Sequence, residues 1–112
     1  MKLVTAVVRP ENFGAVKDAL ERHGVQGMTV LSVHGYGRQR GHREVYRGAE
    51  YTVDLLEKVR IETVVTDAEA QDVVSVVVAA ARTGEPGDGK VWVTHVEHAV
   101  RVSTGERDDA AL

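Results

Sequence analysis

The apolar residues of the amino-terminal half follow two periods, which predict a strand, a helix and a second strand. Residues 3–8 (LVTAVV) are a β-branched apolar run that closes before Pro10, and they predict a buried strand. The next apolar residues recur at helical spacing and end at Gly24, a residue type that commonly terminates helices. These residues are Phe13, Val16, Ala19 and Leu20, and His23 continues the same spacing. Residues 28–36 (MTVLSVHGY) return to β-branched alternation and predict the second strand.

The carboxyl-terminal half repeats this succession of strand and helix signals. Residues 58–66 (KVRIETVVT) alternate as a strand that is expected to pair with residues 28–36 in antiparallel fashion. Residues 66–69 (TDAE) have the form of a capping box, so a helix is predicted from there to about Arg82. Valine is a poor helix former and is frequent in this segment, so a strand is the minority alternative. The remaining predicted elements are a strand at 90–96, a short extra strand at 98–102 and a polar tail at 103–112.

The predicted order is β-α-β-β-α-β followed by one short strand, which matches the ferredoxin-like split βαβ motif of α+β proteins. In this layout both helices cover one face of a four-stranded antiparallel sheet. The opposite face carries valine, isoleucine, leucine and Trp92 without a cover. Because a small domain rarely leaves an apolar sheet face in water, the sequence predicts self-association of the chain.

Composition narrows the classes of function. The chain has 112 residues, 43% of them hydrophobic, which is near the commonest size of one domain, so a single domain spanning 1–112 is expected. A net charge of −3 provides no general basic field for nucleic acid or an anionic membrane. The chain has no cysteine, and its longest apolar run is too short to span a bilayer, so a soluble, cytoplasmic protein is predicted.

Two other classes of function receive little support from the residues. RNA-binding modules of the RRM type share this fold class, but they stack bases on sheet aromatics. Here aromatic residues make up 4% of the chain, and its single phenylalanine, Phe13, lies in a predicted helix. No Ser/His/Asp order or carboxylate pair typical of an enzyme stands out, and the histidines show no convincing metal-ligand spacing. The RNA-binding module is kept as an alternative, and catalysis is not expected.

Residues 37–55 form a connection far longer than the roughly two to five residues of an ordinary hairpin loop. The connection mixes both signs of charge. Its charged residues include Arg38, Arg40, Arg43, Arg47, Glu44, Glu50 and Asp54. Loops of this length are usually functional or disordered, so docking on a protein partner is predicted, with a solvated loop without a role as the alternative.

A glycine cluster, TGEPGDGK at 83–90, joins the second helix to the next strand. Glycine lets backbone N–H groups approach an anion closely, and Lys90 adds a positive charge, so the cluster has the logic of a phosphate cradle. It is not a Walker motif, since Val91 and a strand follow where that motif requires Ser or Thr and a helix. Taken alone, such a cluster is more often a tight turn.

These segments together resemble a known family. YRGAEY at 46–51 and TGEPGDGKVWV at 83–93 are similar to the two signatures of the PII signal-transduction proteins, also called nitrogen regulatory protein P-II. GYGRQRGH at 35–42 and RVSTGERDDAAL at 101–112 also fall at family-like positions without a gap, so the resemblance covers the whole chain. It implies a ferredoxin-like homotrimer with a T-loop at about 37–55, a phosphate-binding loop at about 82–90 and a carboxyl-terminal loop at about 101–112.

The resemblance further implies that ATP and ADP compete for a site between subunits. By similarity, the phosphates would be held by the glycine cluster and by an arginine of the adjoining subunit, and other residues would enclose the adenine and ribose. The implied nucleotide-binding residues are Thr29, Gly37, Arg38, Glu62, Val64, Gly87, Asp88, Gly89, Lys90 and Arg101. Gln39 resembles the residue that helps to hold Mg²⁺ with the ATP phosphates, and Lys58 the residue that pairs with 2-oxoglutarate, which completes that shell.

The implied function is regulation of nitrogen metabolism through the T-loop, which would change conformation with the bound ligand and dock on targets. Family targets include an ammonium transporter, a nucleotidyltransferase and metabolic enzymes, so contact with a membrane would be indirect. Tyr51 resembles the tyrosine that many members have uridylylated and actinobacterial members have adenylylated. A tyrosine that packs at the foot of the loop is the alternative role for this residue.

Two residues depart from the family pattern or fit it poorly. Ser103 stands where the family commonly has a second phosphate-binding arginine, and Arg107 is close enough in sequence to compensate. Glu85 lies inside the implied cradle, where a carboxylate would repel phosphate, so its side chain is expected to point to solvent. A PII-like regulator with an altered ligand preference is therefore a second alternative.

Overall fold

The computed structural model of the chain describes residues 1–37, 42–46, 49–53 and 55–112, with side chains described in 1–37 and 55–112. Its strands and helices follow one another in the order predicted for the α+β fold, with one hairpin inserted in the long connection. The elements are β1 (Lys2–Val8), α1 (Phe13–His23), β2 (Thr29–Gly35), β3 (His42–Tyr46), β4 (Ala49–Val53), β5 (Leu56–Val65), α2 (Ala70–Ala81) and β6 (Gly89–His95).

The main sheet has four antiparallel strands in the order β2-β5-β1-β6, as the ferredoxin-like prediction requires. β1 lies in the interior, where Val4 is opposite Thr63 of β5 and Val93 of β6. β2 forms one edge, where Thr29 is opposite Glu62. β3 and β4 pair only with each other, inside the connection between β2 and β5.

Both helices pack on one face of this sheet. Alternate residues of β1, namely Val4, Ala6 and Val8, point to that face and are each 2% exposed. α2 places Val73 and Val77 on them at helical spacing, and both are buried. The valine-rich segment is therefore a helix, because its buried stripe outweighs the modest helix propensity of valine.

Two helix ends confirm the signals read from the sequence. Gly24 adopts a φ of 103° at the end of α1, where its N–H donates to the carbonyl of Glu21 (3.1 Å). Thr66 Oγ1 accepts the N–H of Glu69 (3.3 Å), as the capping-box prediction requires. However, α2 begins only at Ala70, because residues 67–69 form a turn ahead of the regular helix.

The short extra strand predicted at 98–102 is reduced to a single β-bridge between Val100 and Arg107. The alternation HAVRV is present, but the chain reverses at once, with Gly105 at a φ of 76° and its N–H donating to the carbonyl of Arg101 (2.8 Å). A strand needs a neighbouring strand of similar length with which to pair. Across this turn the pairing consists of Val100 and Arg107. As a result Val102 is 99% exposed.

The sheet face opposite the helices is partly apolar and uncovered in one chain, as predicted. Leu31 is 42% exposed and Trp92 is 39% exposed. At the centre of this face the guanidinium of Arg60 lies 5.6 Å from the centroid of the Trp92 ring and is ion-paired with Glu62 (2.7 Å). In the part of the chain that the structure describes, no helix has the length and apolar character needed to cross a membrane.

Candidate functional site

The loop at 82–90, which we call the glycine-rich loop, is organised around the carboxylate of Asp88. This carboxylate accepts the N–H groups of Thr83 (2.7 Å) and Gly84 (2.9 Å) and the hydroxyl of Thr83. It also faces the guanidinium of Arg9 across 3.3 Å. The Thr83 hydroxyl, followed by the backbone N–H donors, holds the pKa of Asp88 well below its usual range. The loop is thus closed on an ionised carboxylate that points inward.

Glycine is required at the end of this loop by backbone geometry. Gly84, Gly87 and Gly89 have φ values of 93°, 102° and 100°, which side-chain-bearing residues rarely adopt. At Gly89 an added Cβ would lie 1.7 Å from the carbonyl oxygen of Val7 in β1. The loop therefore presents bare backbone close to the edge of the sheet, which is what a closely bound anion needs.

Lys58 connects this loop to the foot of the long connection. It lies in β5, two residues after Leu56, with 9% of the residue exposed, and its ammonium donates to the carbonyl of Gly87 (2.8 Å). Burial, and secondly the positive charge of Arg9, lowers the pKa of Lys58. A buried ammonium with a single described acceptor is suited to gain a negatively charged partner.

A cleft of about 320 Å³ opens between the glycine-rich loop and the end of β2, and we call it the glycine-loop cleft. Its lining contains five of the implied ligand-binding residues, namely Gly37, Lys58, Gly87, Gly89 and Lys90. Lys90 is exposed on this side of the sheet. The cleft combines bare glycine backbone with two ammonium groups, so its chemistry suits a polyanion.

A second cleft of about 330 Å³, the strand-edge cleft, lies farther along β2 and β5. It brings together Thr29, Glu62 and Val64, which the resemblance implies to line the adenine and ribose pocket. Gly37, which the resemblance implies to close that pocket together with Arg38, lines the glycine-loop cleft instead. Along the extended strand β5, Glu62 is four residues from Lys58, a distance of about 13 Å. Gly87, Gly89 and Lys90 of the implied phosphate cradle therefore line one cleft of the chain, and the residues implied to line the adenosine pocket line another.

Arg101 lines neither of these clefts. Its guanidinium donates to the backbone oxygen of Leu112 (3.0 Å) and lies 3.7 Å from the carboxylate of Glu106, within the carboxyl-terminal turn. Ser103 and Glu85 are both exposed, in agreement with the orientation expected for Glu85. Arg38 and Gln39 lie outside the described residues, and Tyr51 is described only by its backbone, which pairs with Glu44 in the β3–β4 hairpin.

Sequence reasoning missed three contributors to this site. Tyr36 and Trp92 line the glycine-loop cleft, although nothing in their local pattern distinguishes them from surface or sheet residues. Arg9 was also missed, because its partners lie 77 and 79 residues away and no local signal points to them. Such contacts become visible only once β1 and β6 are paired.

The family model described as "Nitrogen regulatory protein P-II" matches residues 1–106. The chain is 47% identical to the nitrogen regulatory protein GlnK of Escherichia coli K12 over 112 residues, covering all of both chains. It is 49% identical to a nitrogen regulatory protein P-II of Klebsiella oxytoca and 47% identical to one of Rhizobium etli, again over the full length of both chains.

Proposed function

Since the chain belongs to the nitrogen regulatory protein P-II family and is a signal-transduction regulator of nitrogen metabolism, we propose that it senses ATP, ADP and 2-oxoglutarate. The family match favours this regulator over the RNA-binding alternative. We also propose a homotrimeric assembly and target proteins that the T-loop contacts.

The division of the site is the observation that carries the proposal. The residues of the implied phosphate cradle and those of the implied adenosine pocket line separate clefts of one chain, and the family resemblance implies a nucleotide site between subunits. We therefore place the nucleotide between subunits of a homotrimer. There it would lie against the glycine-loop cleft of one subunit and the strand-edge cleft of the next, with Arg101 of that next subunit at the phosphates. In this assembly each chain is one domain, 1–112, and the exposed face with Leu31 and Trp92 is covered.

The residues of the glycine-rich loop fit the phosphates of ATP or ADP. The glycines leave the backbone bare, and Lys90 provides a point charge beside it. The carboxylate of Asp88 is taken up by Thr83 and Gly84, so this residue offers its backbone and not its charge to the anion. Glu85 is exposed and places no described side-chain contact in the loop.

For 2-oxoglutarate we propose that a carboxylate replaces the Gly87 carbonyl as the acceptor for Lys58. The bond to the Gly87 carbonyl already has a charged donor, and a carboxylate adds a full negative charge opposite the ammonium, so the Coulomb attraction between the two charges favours this exchange. Gln39 and the phosphate oxygens of ATP would hold Mg²⁺, with 2-oxoglutarate as a further ligand of the ion. The ion would neutralise part of the negative charge of the phosphates. The selectivity for ATP over ADP in 2-oxoglutarate binding follows from this shared shell.

The output of the sensor is proposed to be the conformation of the T-loop at 37–55. Gln39 lies near the start of this loop and Lys58 follows its end by three residues, so ligands that contact these residues would differ in their affinity for two loop conformations. Targets of the loop are proposed to be an ammonium transporter, a nucleotidyltransferase or metabolic enzymes. Nucleotidylylation of Tyr51, by UMP or AMP, would add negative charge to an arginine-rich loop and so alter docking.

Isothermal titration with ATP and ADP, each with Mg²⁺ and with or without 2-oxoglutarate, tests the proposal. We expect both nucleotides to bind and 2-oxoglutarate to bind only with Mg-ATP. Lys90→Gln is expected to weaken ATP binding about tenfold or more, and Lys58→Gln to abolish 2-oxoglutarate binding while ATP still binds. Lys17→Gln, on α1 and paired there with Glu21, is the matched control and is expected to change neither. Absence of binding by both nucleotides refutes the proposal.

The assembly is tested separately by light scattering on the eluting protein. A homotrimer is expected at about three times the chain mass of 12.2 kDa. A stable monomer would contradict the placement of the nucleotide between subunits, even if some nucleotide binding were retained.

The alternative of an altered ligand preference rests on Ser103. This residue is exposed in the carboxyl-terminal turn, in the same turn as Arg101. A hydroxyl cannot replace a charge-assisted contact, so Ser103→Arg is expected to tighten ATP binding by about tenfold if the turn reaches the phosphates. If ATP affinity is unchanged in Ser103→Arg, then of positions 101 and 103 Arg101 alone contributes to ATP binding.

A further inference from the structure

We propose that Arg9 is a positioning residue, which holds the glycine-rich loop so that its backbone N–H groups are directed at the bound anion. The identity of that anion as the phosphates of ATP or ADP rests on the function proposed above. The role of Arg9 in the loop is argued from contacts within one chain.

Arg9 makes two contacts with the loop through one guanidinium. Its Nη2 donates to the carbonyl of Pro86 (2.6 Å) and its Nε donates to the carboxylate of Asp88 (3.3 Å). The side chain is 25% exposed, so it is largely enclosed between the end of β1 and the loop. Two acceptors two residues apart match the fixed planar fork of arginine.

The base of this side chain is itself fixed. Arg9 directly follows Val8, the last residue of β1, which is 2% exposed. Its carbonyl accepts the N–H of Asn12 (3.0 Å), and Pro10 starts the short 3₁₀ turn that begins there. The guanidinium is therefore presented from the sheet and not from a free surface chain.

The orientation of the loop amides follows from peptide geometry. In a trans peptide the carbonyl of one residue and the N–H of the next point in opposite directions. Because Arg9 binds the carbonyl of Pro86, the N–H of Gly87 points away from Arg9, and Gly87 lines the glycine-loop cleft. Lys58 fixes the next peptide in the same manner through the carbonyl of Gly87.

Charge alone is a competing explanation for any effect of Arg9, since its guanidinium is close enough to Lys58 to lower the pKa of that ammonium. Lysine at position 9 keeps the positive charge but replaces the fork with a single ammonium that cannot hold both acceptors in the same geometry. Comparison of Arg9→Lys with Arg9→Met therefore separates position from charge.

The experiment compares the full wild-type chain with the variants Arg9→Lys and Arg9→Met. Arg22→Met, on the exposed side of α1, is the control that removes one arginine elsewhere in the chain. Amide ¹H–¹⁵N spectra of the ligand-free protein report on the glycine-rich loop, and titration calorimetry reports on ATP. We expect both Arg9 variants to shift the amide resonances of Gly84 and Gly87. We expect ATP affinity to fall about tenfold in Arg9→Met and by several-fold in Arg9→Lys, with Arg22→Met unchanged in both readouts.

Wild-type ATP affinity in Arg9→Lys overturns the inference, because charge alone then suffices. Wild-type loop resonances in Arg9→Lys overturn it as well, whether or not nucleotide binds. If Arg9→Met does not fold, Arg9→Lys decides by the same criteria. If the wild-type chain binds no nucleotide, the proposed function fails, and the loop resonances still decide whether Arg9 positions the loop.

Discussion

Substitution of Gly89 by alanine is expected to distort the junction between the glycine-rich loop and β6. Gly89 is the first residue of β6 and is opposite Val8 of β1. An alanine Cβ at this position would lie 1.7 Å from the carbonyl oxygen of Val7 and 2.8 Å from its carbonyl carbon, distances that real Cβ atoms do not tolerate. Since both atoms belong to the backbone of an interior strand, no side chain can move aside to relieve the conflict.

The expected cost has two parts. A φ of 100° is unfavourable for alanine by about 1–2 kcal/mol. Separating Cβ from the Val7 carbonyl moves the start of β6 away from β1, and loss of about two ladder hydrogen bonds costs roughly 1 kcal/mol each. The free energy of unfolding is therefore expected to fall by about 3–4 kcal/mol, which lowers the melting temperature by roughly 10–15 °C for a chain of this size.

Thermal unfolding by circular dichroism, at one fixed protein concentration, measures this effect. Two further glycines supply matched controls. Gly84 has a φ of 93°, and no atom lies within 4 Å of the position that an alanine methyl would take, so Gly84→Ala carries the conformational cost of about 1–2 kcal/mol alone. Gly14 lies in the first turn of α1 with open space around it, so Gly14→Ala is expected to stabilise the chain by up to about 1 kcal/mol.

The order of melting temperatures is the decisive result. We expect Gly14→Ala above the wild type, Gly84→Ala below it and Gly89→Ala lowest. Equal melting temperatures for Gly84→Ala and Gly89→Ala would refute the steric reasoning, because only the second variant meets the β1 backbone. If Gly89→Ala is the one variant of the three that loses ATP binding, the junction between the glycine-rich loop and β6 also determines the geometry of the nucleotide site.

Three further substitutions test local features of the fold. Thr66→Ala removes the acceptor for the N–H of Glu69 and is expected to cost about 0.5–1 kcal/mol in urea unfolding, whereas no change would show that the turn before α2 does not depend on it. The ammonium of Met1, 2.9 Å from the carboxylate of Asp67, lowers the pKa of this carboxyl from its usual value. The wild type should therefore be more stable than Asp67→Asn at pH 7, with the advantage lost as the pH falls through the lowered pKa, and a difference independent of pH would contradict this. Thr5→Val removes a buried hydroxyl that has no hydrogen-bond partner among the described residues, so it is expected to stabilise the chain by about 1 kcal/mol. Destabilisation by Thr5→Val would indicate that another subunit supplies a partner for this hydroxyl.

The sequence predicted the sheet and the helices because each has a buried face with its own period. β1 alternates between the two faces of the sheet, and α2 repeats its buried residues every three or four positions. The hairpin of β3 and β4 was missed because each strand has five residues, and the two pair only with each other. The extra strand at 98–102 was overpredicted because alternation does not reveal that the chain turns back at Gly105.

The candidate site was predictable in its residue types and not in its internal contacts. The glycine cluster and Lys90 suggest an anion site from local sequence alone. The inward turn of the Asp88 carboxylate depends on Thr83, five residues away, and on Arg9, 79 residues away. No local pattern could assign Asp88 to the loop interior, because the same aspartate in an open turn would face solvent or the ligand.

The contacts of Lys58 suggest how the two loops of the proposed sensor communicate. Lys58 follows the T-loop by three residues and holds the carbonyl of Gly87 in the glycine-rich loop. A 2-oxoglutarate carboxylate that takes this ammonium leaves the Gly87 carbonyl without its donor, so the peptide between Gly87 and Asp88 loses one of the contacts that fix it. The same event would restrain the start of β5, directly after the T-loop, because Lys58 would then be bound to the ligand. In the proposed sensor, one buried ammonium shared between a backbone carbonyl and an effector would couple effector binding to both loops, and Lys58→Gln should uncouple them while each loop is retained.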